Sequence, residues 1–438
     1  MSINVCENAQ QIKSELQDNP FPGQASIPSC RSMAVALDAA DPLASLRQNF
    51  SIPANTIYMC GNSLGPLPTK VIERLEDGVK RQWGEDLIRS WNSNSWFTLP
   101  EKLAPRIARL IGAEAEEVTV ADSTSVNLFK VVAAARSLRP DRHKIVTEAG
   151  NFPTDAYVLQ GLSNLMRDPR PPVLAARDRL VDLIDDDTAV VVLTHVHYKD
   201  SAMFDMADIT RRAHRHGALI VWDLSHSVGA VPVDLNGCNA DFAIGCTYKY
   251  LNGGPGAPAF IFAAARHHAA MHPGLVGWWG HSKPFEFDDQ YAAAPSMRQM
   301  LTGTGAILGM IALDAALDVF ADIDMLAVRA KSLALAHLFT ELLQQKCGGF
   351  GLQSASLLPL KARGSHIALR HEAGYPIMRA LIARNVIGDF RAPDVIRFGL
   401  APLYLRYQDI WDATDILAEV LTSGAWRDPQ LLQKSTVT

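Results

Sequence analysis

The sequence has no long apolar run, no paired cysteine spacing, no block of like charge and no low-complexity linker, and each absence removes a class of protein. Its longest apolar stretches, such as Thr188 to Leu193 and Ala257 to Ala265, fall far short of the roughly 20 residues a membrane helix needs, and they read as buried strands. Six cysteines (Cys6, Cys30, Cys60, Cys238, Cys246, Cys347) are scattered without a Cys-x-x-Cys pair, so no disulfide framework is indicated and reduced thiols in a cytoplasmic protein are the simplest account. With 41 Lys and Arg against 46 Asp and Glu, the formal charge of -5 makes no electrostatic case for nucleic acid or an anionic membrane. A small-molecule substrate is the expected partner. Residues 1–32 are polar, carry Pro20, Pro22 and Pro28, and lack the basic start and apolar core of a secretion signal. They read as a loosely ordered extension, and an upstream start codon accounts for them equally well.

What is present is an alternation. At 438 residues the chain is long enough for a large domain and a smaller one. From Asp41 onward, short apolar runs alternate with longer helical patterns, the mark of βαβ units around a mostly parallel sheet. Asp122-Ser123-Thr124-Ser125 offers capping residues before a helix running to about Arg136. Strands are expected at His143 to Thr147, Ala189 to Leu193, Ala218 to Trp222, Phe242 to Gly245 and Pro258 to Phe262. After Ile307 a long helical pattern, about Ala306 to Gln345, leads into short strands at Ser365 to Arg370 and Val395 to Phe398. The expected fold is therefore α/β, with a large domain over 113–305 and a smaller α+β domain over 306–438. Residues 33–112 are expected to join the small domain.

The densest chemical signal is Val221-Trp222-Asp223-Leu224-Ser225-His226, followed by Tyr248-Lys249-Tyr250-Leu251-Asn252-Gly253-Gly254. An acid at the end of a strand, then a lysine in a glycine-rich loop, is what pyridoxal 5′-phosphate (PLP) requires. A carboxylate beside the pyridine nitrogen keeps that nitrogen protonated, and so preserves the ring as an electron sink. Asp223 suits this role. The lysine must form a Schiff base with the aldehyde and later act as a free amine base, which Lys249 can do. The phosphate needs backbone donors at a helix N-terminus with hydroxyl or imidazole groups nearby, and Thr124, Ser125, His226 and Tyr248 are placed for that. Phe152, in Asn151-Phe152-Pro153-Thr154-Asp155, can lie on the ring face while Asp155 reaches its polar atoms. Singly these are ordinary residues: a lysine before glycines is usually a solvated turn, Asp223 could cap a helix, and Phe152 could be core. Their joint order and spacing decide the matter.

Two other features do not carry a site. His195 with His197, and His214 with His216, lack the carboxylate or cysteine partners that complete a metal site, so no metal is expected. Gly61-Asn62-Ser63-Leu64-Gly65 lacks the lysine of a P-loop and reads as a tight turn that brings backbone close to a ligand.

Together with Cys60-Gly61-Asn62-Ser63-Leu64-Gly65, Ser90-Trp91-Asn92-Ser93, Gly277-Trp278-Trp279-Gly280-His281 and Arg397-Phe398-Gly399, these stretches resemble bacterial kynureninase in the same order, from about Leu37 to about Leu421. The resemblance implies the fold type I (aspartate aminotransferase) architecture and a homodimer with shared active sites, to whose interface residues 33–112 contribute. It implies hydrolysis of the Cβ–Cγ bond of L-kynurenine, or its 3-hydroxy form, to anthranilate and alanine, in tryptophan degradation and toward NAD biosynthesis. It further implies Thr194 as a cofactor contact, Trp278 and Thr304 reaching the partner chain's phosphate, Arg397 gripping the substrate α-carboxylate, Asn62 at the substrate, and Tyr248 as a proton donor whose phenol is kept near the needed pKa. The sequence departs from the family where a segment like His-Val-Asn-Tyr-Arg-Thr-Gly appears as His195-Val196-His197-Tyr198-Lys199-Asp200-Ser201, and where Gly-Thr-Gln-Pro appears as Gly303-Thr304-Gly305-Ala306. These changes leave the aryl group open to a ring-modified kynurenine. Two other readings are a desulfurase, for which Cys347 is the one passable nucleophile, or a transaminase, and a non-catalytic binding paralogue.

Overall fold

The computed structural model describes residues 28–166 and 170–433. Most of the expected extension therefore lies outside the described residues, and helix α1 (Arg31–Ala40) begins before its expected end at 32. The larger of two compact units takes in residues 64–198 and 202–322, and the smaller residues 28–63, 199–201 and 323–433.

The larger unit holds helices α2 (Thr69–Asp77), α3 (Leu99–Ile111), α4 (Thr124–Ser137), α5 (Pro153–Leu165), α6 (Met206–Arg215) and α7 (Ile307–Leu317). They accompany seven strands: β1 (Val118–Ala121), β2 (Lys144–Glu148), β3 (Val173–Ala175), β4 (Thr188–Thr194), β5 (Leu219–Asp223), β6 (Phe242–Gly245) and β7 (Ala259–Ala263). The sheet order is β1-β7-β6-β5-β4-β2-β3, parallel from β6 to β3 and antiparallel on both sides of β7. Every residue of β4, β5, β6 and β7 is buried, which is why these strands read as unbroken apolar runs rather than alternating ones. Leu128, Val131 and Val132 of α4 and Leu159 of α5 pack on Val190, Val192, Val221 and Ile244 of the sheet. The register pairs Thr194 with Asp223, so β4 and β5 end level with each other. Ligands gather at such carboxyl ends in open parallel sheets.

The unit boundary corrects the expected one. The helical pattern from Ala306 breaks at a tight turn, Asp318–Phe320, before α8 (Met325–Cys347) starts under an Asp324 side-chain cap. Helix α7 stays with the larger unit because Ala312, Ala315 and Ala316 let it close on Val71 of α2. Residues 64–112 stay there too, rather than joining the small domain. A hydrophobic period alone cannot show which neighbour a helix will choose.

In the smaller unit, β8 (Gln353–Ser354), β9 (His366–Arg370), β10 (Asp389–Arg391) and β11 (Val395–Gly399) form an antiparallel sheet in the order β8-β9-β11-β10. Helices α8, α9 (Gly374–Ile382) and α10 (Tyr407–Ser423) complete it. Asp38 of α1 accepts the Tyr407 and Gln408 N–H groups at the start of α10, an acceptor for otherwise orphaned donors at the positive end of the helix.

Candidate active site

A cavity of about 610 Å³ opens in the larger unit at the ends of β4 and β5 and the start of α4. Ten residues expected to hold the cofactor line it: Thr124, Ser125, Phe152, Asp155, Thr194, Asp223, His226, Tyr248, Lys249 and Thr304. Its volume suits a small cofactor with part of a substrate.

Lys249 enters on the loop after β6, and its Nζ lies 2.9 Å from His226 Nε2. The loop is braced from behind. Gly65 N donates to Tyr248 O at 2.8 Å, and a Cβ at Gly65 would sit 2.3 Å from both Lys249 O and Asn252 Oδ1. Thus Gly65, at the end of the Gly61–Gly65 turn, brings its backbone close to the lysine loop.

Asp223 ends β5, is buried, and accepts Ser225 N at Oδ1 (2.8 Å). No basic side chain among the described residues forms an ion pair with it, and burial pushes its carboxyl up although the Lys249 charge pulls the other way. Asp155, in the first turn of α5, accepts Asn151 Nδ2 at 2.9 Å and the Thr194 hydroxyl at 3.3 Å. Burial raises it as well, and the Asp223 charge adds to this. Two buried acids on one cavity wall thus favour a cationic guest. Tyr248 departs from expectation: burial drives its phenol above the ordinary value, with the Cys246 thiol adding to the effect, so it is held protonated.

At the other end, Ser123 caps α4 by accepting Val126 N, and Thr124 and Ser125 form its first turn, where N–H groups lack intrahelical acceptors. Phe152 sits at the mouth, half exposed, with its ring edge-to-face on Tyr198 at 5.4 Å.

Trp278, Asn62 and Arg397 are not among the residues that line this cavity. Trp278 stacks on Trp279 at 6.0 Å within an aromatic cluster including Trp91 and Phe97, and does not line the cavity. Thr304, expected to reach a partner's phosphate, borders the cavity of its own chain. Asn62 and Arg397 belong to the smaller unit. Arg397 is buried and paired side-on with Asp389, Nε to Oδ1 at 2.7 Å, across the β10–β11 register. Ser63 bridges this pair, accepting Arg397 Nη2 at 3.0 Å and donating to Asp389. Both polar atoms of the buried Asn62 amide lack a hydrogen-bond partner among the described residues. The four histidines serve as structural links: His195 to Ser227, His197 to Gly150 O, His214 to Asp241 and His216 to Asp186.

Sequence reasoning passed over Asn151, Tyr198, Ser225 and Asp389, which are polar residues of common type with no spacing of their own. In the departing segments, Tyr198, Gly305 and Ala306 line the cavity. Ser201 stands at φ +67°, a conformation that suits glycine, with its buried hydroxyl lacking a hydrogen-bond partner among the described residues. Cys347 lies buried at the end of α8, and burial pushes its thiol up to about 11, the opposite of what a reactive nucleophile needs.

Comparison with known proteins now bears on this geometry. Residues 328–417 match the kynureninase C-terminal domain, and residues 66–356 match the aminotransferase class-V family. A kynureninase of Burkholderia mallei (strain SAVP1) is 47% identical over 414 residues, covering 93% of this chain and 99% of the relative. The chain belongs to the kynureninase family. A kynureninase of Pseudomonas fluorescens is 45% identical over 413 residues, again 93% of this chain and 99% of the relative. Among solved structures, the apo cysteine desulfurase of Thermococcus onnurineus NA1 superposes with TM-score 0.73 at 16% identity, covering 86% of this chain and 98% of that one. A C-DES variant with glycine covalently linked to its PLP cofactor gives TM-score 0.72 at 16% identity, covering 85% and 99%. At that identity these two share the fold. This family's cofactor is pyridoxal 5′-phosphate. The cavity fits it, because Asp223 is a buried acid for which a protonated ring nitrogen is the natural counter-charge, and Lys249 opens into the same space.

Proposed function

We propose that this chain hydrolyses the Cβ–Cγ bond of L-kynurenine, with water, to anthranilate and L-alanine, with Lys249 as its central catalytic residue. The observation that carries the reading is the lysine, acid and histidine set of Lys249, Asp223 and His226 in one cavity of a chain near half identical to kynureninases over almost its full length.

Bound there, pyridoxal phosphate supplies an electron sink for negative charge developing at Cα and Cβ of the substrate. Asp223 holds the ring nitrogen's proton. Lys249 Nζ would hold the cofactor and, as a free amine, would carry the proton of the substrate Cα. His226, 2.9 Å from Nζ, orients that amine. Tyr248, kept as a phenol by burial, delivers a proton to Cβ of the alanine half. Thr124 and Ser125 with the first turn of α4, and Thr304, would hold the phosphate, while Phe152, Asp155 and Thr194 would hold the ring. Arg397 receives the α-carboxylate, a planar fork matching a planar acid, with Asn62 beside it.

The same reading includes a cytoplasmic homodimer acting in tryptophan degradation. Trp83 and Ile88, 57% and 76% exposed on the larger unit, support a partner surface. The free thiols of Cys30, Cys60, Cys238, Cys246 and Cys347 suit a reducing compartment. Light scattering of the purified protein checks the dimer. For the ring, the departures at Gly305 and Ala306 on the cavity wall favour testing a modified substrate.

The decisive experiment incubates the purified holoenzyme with L-kynurenine, 3-hydroxykynurenine and L-cysteine, comparing kcat/KM and products. Equimolar aryl acid and alanine are expected. Sulfide from cysteine, or no aryl acid, overturns the assignment. Borohydride reduction should fix the cofactor on the peptide containing Lys249.

A further inference from the structure

Within the apolar run Leu128-Phe129-Lys130-Val131-Val132 of α4 stands one charge, and its side chain is completely buried. The Lys130 Nζ lies 2.7 Å from Asp122 Oδ2 and 2.5 Å from Met300 O. Asp122 lines the cavity immediately before the Ser123 cap, at φ +42°, and its carbonyl accepts Ala259 N of β7 at 2.8 Å. Thr302, two residues beyond Met300 and two before Thr304, brings its hydroxyl within 3.4 Å of both Asp122 oxygens. One ammonium therefore braces both walls that we assign to the cofactor phosphate, the α4 corner and the Thr304 turn.

A carboxylate at the rim of a phosphate site repels the ligand unless it is neutralised. We propose that Lys130 is a positioning residue for the cofactor phosphate, cancelling the Asp122 charge from beneath and holding the corner that presents Thr124 and Ser125. This rests on the phosphate assignment above. Burial pulls the Lys130 ammonium below its ordinary pKa while Asp122 pulls it back up.

The test titrates apoprotein with pyridoxal phosphate and with pyridoxal, which lacks the phosphate, following the cofactor absorbance. Lys130→Met is expected to weaken pyridoxal phosphate by about tenfold or more, the order of one lost close charge, and pyridoxal by less than about threefold. Adding Asp122→Asn to Lys130→Met should return pyridoxal phosphate to within about threefold of the parent, because the repelling charge is gone too. An equal fall for both ligands, or a double variant as weak as the single one, overturns the proposal in favour of plain packing. Should Lys130→Met not fold, Asp122→Asn alone decides, since unchanged or tighter binding supports the charge argument and tenfold weaker binding overturns it. If the parent holds both ligands equally, the phosphate assignment itself falls, whatever Lys130 does.

Discussion

Asp223 and Asp389 are almost equally buried, at 5% and 4% exposure, yet they are driven in opposite directions. Burial raises both. At Asp389 the guanidinium groups of Arg397 and Arg391 outweigh it and hold the carboxyl at about 2, whereas at Asp223 only the Lys249 charge and the Ser225 contacts oppose burial, and the acid stays raised. Depth sets the desolvation term, and the neighbouring countercharge decides the sign. The smaller unit thus holds its acid against guanidinium charge, while the larger unit holds one that burial leaves raised. Asp241 resembles Asp389: burial raises it, but hydrogen bonds from His214 and His267 hold it well below the usual carboxylate range.

The largest effect should come from Asp223→Asn. Turnover is expected to fall by about 10³-fold, as for loss of a preorganised charge, while the apoprotein gains about 1–3 kcal/mol because an uncompensated buried charge has gone. Steady-state kinetics and apoprotein melting read the two together, and a lower Tm would break the contrast with Asp389. There the same exchange should act in reverse. Asp389→Asn strands Arg397 inside the protein and should cost about 3 kcal/mol in denaturant titration, with KM rising more than kcat falls.

Acidity should separate the two acids next. Because Asp155 and Asp223 have raised pKa values when folded, their ionisation opposes folding increasingly as pH climbs above the unfolded carboxylate value of about 4. Asp389 has a depressed pKa, so its contribution is complete above about pH 4 and is lost as pH falls toward 2. Apoprotein Tm should therefore rise on going from pH 8 to 5 and drop below pH 4. Asp223→Asn should flatten the first slope and leave the second. The smallest effect concerns strain rather than charge. Ser201→Gly relieves a left-handed backbone and removes a buried hydroxyl, so it should add about 1 kcal/mol by thermal melting. A loss would mean that the hydroxyl, not the glycine of the family pattern, is what this position uses.

Much of the larger unit was legible. The apolar runs at Ala189 to Leu193 and Phe242 to Gly245 could be little else than strands covered on both faces, and the observed strands agree to within a residue. Strand β1 (Val118–Ala121) escaped notice, since Thr119 interrupts its short apolar run. The helical pattern after Ala306 showed length but not its break at Asp318–Phe320, because a tight turn keeps the same apolar spacing. Lys130 was hidden for the opposite reason: a lysine inside an apolar helix looks like a solvated position until its partner, eight residues earlier, is seen beneath the same corner.

The sequence by itself pointed to the cofactor chemistry, since capping hydroxyls, an acid and a lysine in that order leave few cofactors open, and apolar runs marked most of the strands. Only the tertiary structure decided the electrostatics. Whether Asp223 is raised, Asp389 lowered or Tyr248 kept protonated depends on burial and on charges brought from distant parts of the chain, and neither quantity is local in the sequence.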